Sequence, residues 1–518
     1  GDLFMSNNRM IIANTARCGF VIKNGGSLNV TFNSFSIAGT GQTAIDLNSC
    51  NGNMTILAGN ISTTGDTLIN IKGGQLTATF NNSCTQSGNF PLLTVSDHSV
   101  GILTFQTGTI SATSGTGLQF DNADGSYNFN GTTILGGGDA GIDIINGSGG
   151  AFTFTNTSIT NPAGIAFLVN GGNGIISHTG AISKNNAGRL IDIQSRSGGS
   201  VTFNGILSST TTSSGINVSS CTSGTVTFAG TTKTINTGSN NAITLATNTG
   251  STINFTNGGL DIDCTLGIGF TATGGGTISV QGSGNSITTT TGTALNVVNT
   301  SIGANNLNFQ SISSNGGSAT GIILNNTGSS GGLTVTGTGI AGSGGTIANK
   351  AGANTITTEG IGIYLNNCSN VSLSRMQLND FSNYGIRGLS VNGFSMSNSN
   401  VQSNFGKNGD SDADNEGSIV FGTPTSLNGL TGEVSITNCI IEDGFEDNFI
   451  ISNQTGTMSS FTMSNTTIQD NSTASPGNEG FAIILDGSAS LTTANITNCT
   501  FQRNRANGIH IITESNSS

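Results

Sequence analysis

The strongest constraint on the fold is an apolar pattern that recurs along the whole chain. Phe154 lies in the middle of one repeat, and equivalent apolar or aromatic residues precede it at intervals of 24 or 25 residues. These equivalents are Phe129, Phe105, Phe80, Ile56 and Phe32. A fixed period of this size indicates a solenoid, in which each turn buries its apolar side chains only by stacking on its neighbours.

Each repeat contains three short strands and no helical pattern. In Gly141–Asn161 the strands centre on Asp143, Thr153 and Ile159, with apolar and polar residues alternating within each. This alternation predicts strands with one buried face, and the intervening Gly, Asn and Ser residues supply turns. We therefore predict an all-β fold, a right-handed parallel β-helix solenoid with three strands and about 25 residues per coil.

The register of the repeat also predicts which side chains point inwards. The third strand is expected to place six equivalent residues in the core, because each lies five residues beyond a second-strand core position. They are Ile37, Ile61, Ile110, Ile134, Ile159 and Ile340. His178 occupies the same register as Phe154, so we expect it to be a polar substitution in the core column.

Composition limits the classes of partner. Only 8% of the 518 residues are charged, and the net charge of −12 includes just 14 Lys and Arg. This predicts no basic surface for nucleic acid. We find no apolar run long enough to span a membrane. A weakly acidic surface rich in Ser, Thr and Asn predicts an extracellular or cell-surface location.

The eight cysteines are predicted to be unpaired. Cys439 and Cys499 occupy the same coil position but lie two coils apart. Two strand spacings exceed the Cα separation that a disulfide spans. We expect these residues to replace Ser or Thr at small, buried positions.

Loop length divides the predicted solenoid into two stretches. Residues 1–341 form regular coils, and 342–518 continue the same solenoid with long corner loops at 342–360, 402–417 and 470–480. The segment 380–486 contains half of all Asp and Glu residues, 13 of 26. Because loops inserted at one corner of a solenoid form a rim, we expect functional residues there.

Alternating carboxylates in the second loop resemble half of a Ca²⁺ loop. Hard cations prefer six to eight oxygen ligands, which closely spaced acids supply. The pattern is not an EF-hand, since the sixth and twelfth positions are Asn415 and Phe421. A solvated acidic turn is the alternative interpretation. The candidate Ca²⁺ ligands are Asp410, Asp412, Asp414, Glu416, Glu442 and Asp443.

Four further charged residues in this region are candidate binding residues. They are Asp380, Arg387, Glu446 and Asp447. Asp380 with Arg387 is the pair we would test first. We assign no catalytic residues, because no nucleophile–base set, zinc-type spacing or phosphate loop is recognisable.

Two segments carry a resemblance to known proteins. Residues 360–401, GIGIYLNNCSNVSLSRMQLNDFSNYGIRGLSVNGFSMSNSNV, resemble the coils of right-handed parallel β-helix proteins of the pectate-lyase-like superfamily. Residues 436–471 are similar to coils of very large bacterial secreted or cell-surface repeat proteins, with autotransporter passengers as architectural relatives. The resemblance implies the fold, and the superfamily includes lyases, hydrolases, tailspikes and adhesins.

Three functional hypotheses follow. The first is a non-enzymatic extracellular structural or adhesive segment, such as a surface stalk, adhesin passenger or self-assembling fibre unit. Its expected partners are glycans or further copies stacked end to end, within a longer chain or assembly. The alternative is a β-helix that binds or processes polysaccharide through the C-terminal loop rim. Ice or mineral binding by outward Thr153, Thr202 and Thr227 is a third interpretation.

Overall fold

The computed structural model describes residues 3–39, 41–139, 141–210, 212–353, 359–402, 416–423, 428–471 and 479–513. In these ranges the regular structure is β-strand, and no helix occurs. The strands form a parallel β-solenoid of about 19 turns with about 25 residues per turn. This confirms the predicted fold class. Among the described residues there is also no long apolar helix of the kind that crosses a membrane.

The strands follow the three positions predicted for the repeat. The first strands are Phe20–Ile22, Ile45–Asn48, Ile69–Lys72, Leu93–Ser96, Gly117–Asp121, Gly141–Ile145, Phe167–Asn170, Ile191–Gln194, Ile216–Ser219, Ile243–Ala246, Phe270–Thr273, Leu295–Val298, Ile322–Asn325, Gly417–Phe421, Asp447–Asn453, Phe481–Leu485 and Ile509–Thr513. The second strands are Asn51–Ile56, Gln75–Phe80, Ile102–Phe105, Ser126–Phe129, Ala151–Phe154, Ile175–His178, Ser197–Phe203, Ser223–Phe228, Thr252–Phe255, Thr277–Val280, Ser301–Phe309, Leu333–Val335, Leu430–Thr437, Thr457–Ser464, Ser490–Leu491 and Ala494–Thr497.

The third strands are Asn60–Thr63, Ser83–Gln86, Thr109–Ala112, Thr132–Gly136, Thr157–Thr160, Ile182–Lys184, Leu207–Ser209, Lys233–Gly238, Leu260–Cys264, Ser286–Thr289, Ser311–Asn315, Gly345–Lys350, Met376–Phe381, Asn400–Gln402, Ile440–Glu442, Thr467–Gln469 and Thr500–Gln502. Four longer strands run through a corner and cover two positions. Leu3–Ala13 and Ser27–Ala38 join second to third strands, and Ile361–Ser374 and Tyr384–Ser397 join first to second strands.

The chain forms two compact units. The first consists of Gly1–Thr237 with Thr244–Asn257, and the second of Gly238–Ile243 with Gly258–Ser518. Within each unit, equivalent strands of successive turns pair in parallel. In the second unit, for example, Leu373 pairs with Met396, which continues the predicted second-strand register. The predicted division by loop length at residue 341 is a separate feature and stays a prediction.

Aromatic side chains of the second strands stack into a column in the first unit. Phe80 and Phe105 have ring centroids 4.7 Å apart and nearly parallel planes. Phe228 and Phe255 repeat this geometry at 4.7 Å. Parallel in-register pairing places each ring directly over its equivalent in the previous turn, so the column follows from the period.

His178 interrupts this aromatic column, as predicted from its register. It is fully buried, and its ring lies tilted between Phe154 and Phe203 at 6.1 and 6.2 Å. Within the described part of the chain, neither ring nitrogen has a hydrogen-bond partner. Burial lowers the pKa of His178 to about 3, because a charged ring would lose its hydration without gaining an acceptor.

Asparagine residues stabilise many of the corners. Asn122 and Asn146 adopt positive φ angles of 50° and 53°. Their amide groups also bond between turns: Asn122 Nδ2 donates to Asp97 Oδ1 at 3.0 Å, and Asn146 Nδ2 donates to Asp121 Oδ1 at 2.8 Å. Asparagine tolerates the left-handed region better than most residues, which explains its frequency at these turns.

Buried cations satisfy carbonyl groups at other corners. Lys184 Nζ donates to the carbonyl oxygens of Pro162 and Gly164, both at 2.6 Å. Lys350 Nζ donates to Ser314 Oγ and to the carbonyl oxygen of Gly316. These inward ammonium groups meet carbonyl oxygens that the strand ladders leave without partners.

All eight cysteines are free thiols, which confirms the predicted absence of a disulfide framework. Six of them are buried. Burial raises the pKa of Cys84 and of Cys368 to about 12, so these thiols stay protonated at neutral pH.

Two third-strand predictions are wrong. Ile134 is 41% exposed, because the neighbouring residues Thr133 and Leu135 point inwards instead. Ile340 is 72% exposed and lies outside the strands. The third strand of that turn is Gly345–Lys350, inside the predicted loop. At Ile134 a shift of one residue was sufficient, because it reverses the face of every side chain. At Ile340 the error is larger, since the strand begins only at Gly345.

Replacing His178 by Phe is expected to stabilise the protein by about 1–3 kcal/mol at neutral pH, since it removes two unpaired nitrogens and completes the ring column. The variant should also resist acid better. His178 is neutral in the folded state, whereas the unfolded chain binds a proton below its ordinary pKa of 6.5, so wild-type stability falls as the pH drops from 6.5 towards 3. Denaturant unfolding across this range measures both effects.

His98→Phe is the matched control for this substitution. His98 is equally buried, but its Nδ1 lies 3.0 Å from Tyr127 Oη and its Nε2 lies 3.1 Å from the carbonyl oxygen of Leu76. Losing these bonds should destabilise the protein. A His178→Phe protein less stable than wild type would contradict our account of the column.

Candidate functional site

A polar groove of about 550 Å³ lies on the outward face of the second strands in the second compact unit. One wall is a column of hydroxyl side chains from successive turns, paired in register. At the usual spacing of parallel strands, five turns extend about 19 Å. The column consists of Thr334, Ser372, Ser395, Ser435 and Thr462.

Two backbone irregularities accompany the concave shape. The strand register shifts between Asn392 and Phe394, and again between Gly432 and Glu433. Gly393 and Gly432 have positive φ angles of 78° and 74° at these shifts. Glycine adopts this conformation without steric cost, and Gly393 lines the groove without filling it.

The groove hydroxyls are available to a ligand. In the described part of the chain, the side chains of Ser372, Ser395 and Ser435 have no hydrogen-bond partner. The next outward column behaves differently, since Ser397 Oγ donates to Ser374 Oγ at 3.1 Å. Hydroxyl groups in the groove therefore exchange bonds with solvent or ligand, whereas those beside it bond to each other.

The charge of the groove comes from one residue. Among the described residues that line it, Glu433 is the only ionisable one, and its side chain is exposed. The other lining groups are hydroxyls, the amides of Asn306 and Asn370, and backbone atoms above buried apolar side chains. The site is thus polar with a single negative charge.

A second cluster of functional groups lies where first strands begin, and we call it the carboxyl cluster. It consists of Glu416, Glu446, Asp447, Glu479 and His510. Strand pairing brings them together: the amide N–H of Glu446 donates to the carbonyl oxygen of Glu416 at 2.9 Å. The amide N–H of Glu479 donates to Asp447 Oδ1 at 2.9 Å, and His510 Nδ1 lies 2.9 Å from Glu479 Oε1.

The carboxyl group of Asp447 is arranged to hold a proton. Its side chain is buried, and burial raises its pKa well above the ordinary value of 3.8. The nearby carboxylates of Glu479 and Glu446 add to this shift. Asp447 and Glu479 are close enough to share a hydrogen bond once one of them is protonated. Burial and the neighbouring carboxylates therefore favour the protonated form of Asp447.

The predicted Ca²⁺ ligands are only partly described. Asp410, Asp412 and Asp414 lie outside the described residues. Glu416 belongs to the carboxyl cluster. Glu442 instead lies at the end of a third strand, directly before Asp443, and its Oε2 accepts a hydrogen bond from Gln469 Nε2 at 2.6 Å. Within the described ranges, no group of three or more His, Cys, Asp or Glu residues is arranged to hold a metal. The Ca²⁺ site stays a prediction.

The predicted binding residues fall into two places. Glu446 and Asp447 are neighbours in the carboxyl cluster, whereas Arg387 forms no ion pair with Asp380 in the described structure. Arg387 is 3% exposed and its guanidinium packs 4.5 Å above the ring of Tyr384. Asp380 instead lines a small cavity of about 220 Å³.

The groove and two members of the carboxyl cluster were not predicted from the sequence. Glu479 and His510 lie more than 30 residues from their partners, so only turn-to-turn pairing brings them into contact. A signal for the groove was present, because Ser or Thr precedes each second-strand core residue in five consecutive turns. The register shifts beside it have no comparable pattern.

Because the folded pKa of Asp447 is raised, the wild-type protein should lose stability as the pH rises through that pKa. The folded state holds a proton that the unfolded chain releases near pH 3.8, so this contribution is complete only at acidic pH. Asp447→Asn stays neutral, and we expect it to be about 1–3 kcal/mol more stable than wild type near pH 9. Urea unfolding near pH 5, 7 and 9 provides the comparison.

Asp470→Asn is the matched control, since Asp470 is only partly buried and its ion pair with Arg503 lowers its pKa. It should leave the slope of stability between about pH 5 and pH 9 unchanged. An Asp447→Asn protein with the same slope as wild type would show that Asp447 does not carry the proton.

Comparisons of the chain with known protein families, with curated proteins and with solved structures found no match. Functional inference therefore starts from the geometry of the groove and of the carboxyl cluster.

Proposed function

We propose that this chain is a non-enzymatic structural and adhesive segment of a larger extracellular or cell-surface repeat protein, and that it holds an extended glycan in the groove. The observation that carries the proposal is the column of five groove hydroxyls, at least three of which lack a protein partner in the described structure. Relationship to the pectate-lyase-like superfamily and to bacterial autotransporter passengers is part of the same proposal.

The chemistry of the groove supports a sugar ligand. Sugars present hydroxyl groups that both donate and accept hydrogen bonds, and Ser and Thr hydroxyls do the same. A volume of about 550 Å³ falls in the usual range for ligand sites, but the lining is far more polar than that of a pocket for an apolar molecule. The elongated column favours a chain of sugars over a single one.

The solenoid supports the structural part of the proposal. Successive turns repeat the same buried column and the same bonded corners, which suits a stiff stalk. End-to-end association with other copies would lengthen such a stalk. Electron microscopy of the purified protein at high concentration, compared with dilute samples, would show whether fibres form.

Polysaccharide processing is the second candidate function, and the carboxyl cluster favours it. A buried carboxyl group that keeps its proton at neutral pH is suited to act as a general acid. However, glycosidases separate their two carboxyl groups by roughly 5–9.5 Å, whereas Asp447 and Glu479 are in direct contact. New reducing ends or unsaturated products that disappear in Asp447→Asn would establish this second function.

Ser395→Trp is expected to abolish glycan binding, because the indole would fill the groove at the middle of the hydroxyl column. A glycan array would identify ligands of the wild-type protein, and calorimetry would measure the change in affinity, which we expect to exceed tenfold. Thr153→Trp is the matched control, since Thr153 occupies the equivalent outward position on a regular turn. Binding that survives Ser395→Trp would place the ligand elsewhere and contradict the proposal.

A further inference from the structure

We infer that the groove selects its glycan by charge: it takes neutral or amino-bearing sugar chains, disfavours uronate and sulfated ones, and Glu433 sets this preference. The inference rests on the proposed glycan binding and adds the class of ligand.

The position of Glu433 carries the argument. It follows the second register shift, pairs with Ser460 of the next turn, and lies two residues before Ser435 of the hydroxyl column. Its exposed carboxylate therefore stands beside the hydroxyls that would hold the sugar. In the described structure Glu433 has no ion pair, and no Lys, Arg or His lines the groove to offset it.

This isolated charge favours some sugars and opposes others. Neutral sugars offer two neighbouring hydroxyl donors to a carboxylate, and hydrogen bonds to an ionised acceptor are stronger than neutral ones. A protonated amino group adds an attraction. A ligand carboxylate or sulfate within about 4 Å of Glu433 would instead lose about fivefold in affinity even at the dielectric constant of water.

Glu433 should discriminate only between charges on the part of the ligand that lies nearest to it. Glu433 lies on the fourth of the five turns that form the column, about 10 Å from the turn of Ser372. At physiological salt the screening length is about 8 Å, so a charge at the far end of the groove is largely screened from Glu433. A single uronate at that end of an otherwise neutral oligosaccharide should therefore be tolerated.

The test uses three hexasaccharides that differ in charge: N-acetylglucosamine, glucosamine and galacturonic acid oligomers, titrated by calorimetry near pH 6. Wild-type protein should bind the anionic oligomer at least about fivefold more weakly than the neutral one at low salt, and the cationic one about fivefold more tightly. Glu433→Gln should bring all three within about twofold, and Glu433→Lys should reverse the order. Raising the salt to about 0.5 M should reduce the wild-type differences.

Glu359→Gln is the matched control, because Glu359 is an exposed carboxylate in the same unit that does not line the groove. The Glu359→Gln protein should show the same preference among the three oligomers as wild type. Both Glu433 variants should keep the wild-type melting temperature, because the Glu433 side chain is exposed.

Two results would overturn the inference in distinguishable ways. If wild-type protein bound the uronate oligomer as tightly as the neutral one, or if Glu433→Gln left the preference unchanged, charge selection would be wrong while glycan binding stood. If none of the three oligomers bound and the glycan array was also negative, both the proposed function and this inference would be rejected.

Discussion

The structure depends on the register between successive turns. A parallel ladder places each side chain over its equivalent one repeat away, so an apolar residue is buried only if its neighbours are apolar at the same position. The Phe column shows the benefit, with nearly parallel rings 4.7 Å apart. His178 shows the cost, because its ring is buried among Phe154, Phe167 and Phe203 without a polar partner in the described structure.

The corners between strands need stabilisation of their own, because the narrow apolar core lies between the strands. The chain must bend at the corners between the three strands of every turn, and each corner has backbone groups that the ladders do not satisfy. Asparagine solves this by adopting positive φ and donating to a side chain of the preceding turn, as Asn146 does to Asp121. Inward Lys184 and Lys350 solve it elsewhere by donating to carbonyl oxygens. Some of the few Lys residues thus stabilise the interior of the solenoid.

The candidate sites lie where the regular repeat changes. The groove is found beside the register shifts at Gly393 and Gly432, and its hydroxyls have no bonds to one another. The carboxyl cluster lies where first strands begin. Its members face each other only because Gly417 pairs with Asp447 across one turn and Asp447 meets Glu479 across the next. A solenoid can therefore build a local site from residues that are distant in sequence.

The sequence by itself determined the class of fold, the second-strand register of most turns, the core position of His178 and the free state of the cysteines. All four follow from a period that is repeated many times, so an error at one repeat is corrected by the others. The sequence did not determine whether Ile134 or its neighbours point into the core. Side chains of a strand alternate between two faces, so a shift of one residue exchanges the buried and exposed positions.

The tertiary structure decided which irregularities matter. A bulge at Gly432 has no periodic pattern, and the contact of Asp447 with Glu479 depends on corner lengths that differ from turn to turn. The acids clustered in the sequence were consequently a guide to the region but not to the partners. Only the stacking of turns joined Glu479 to Asp447 and to His510, left Arg387 over Tyr384, and placed Glu433 beside a column of hydroxyls.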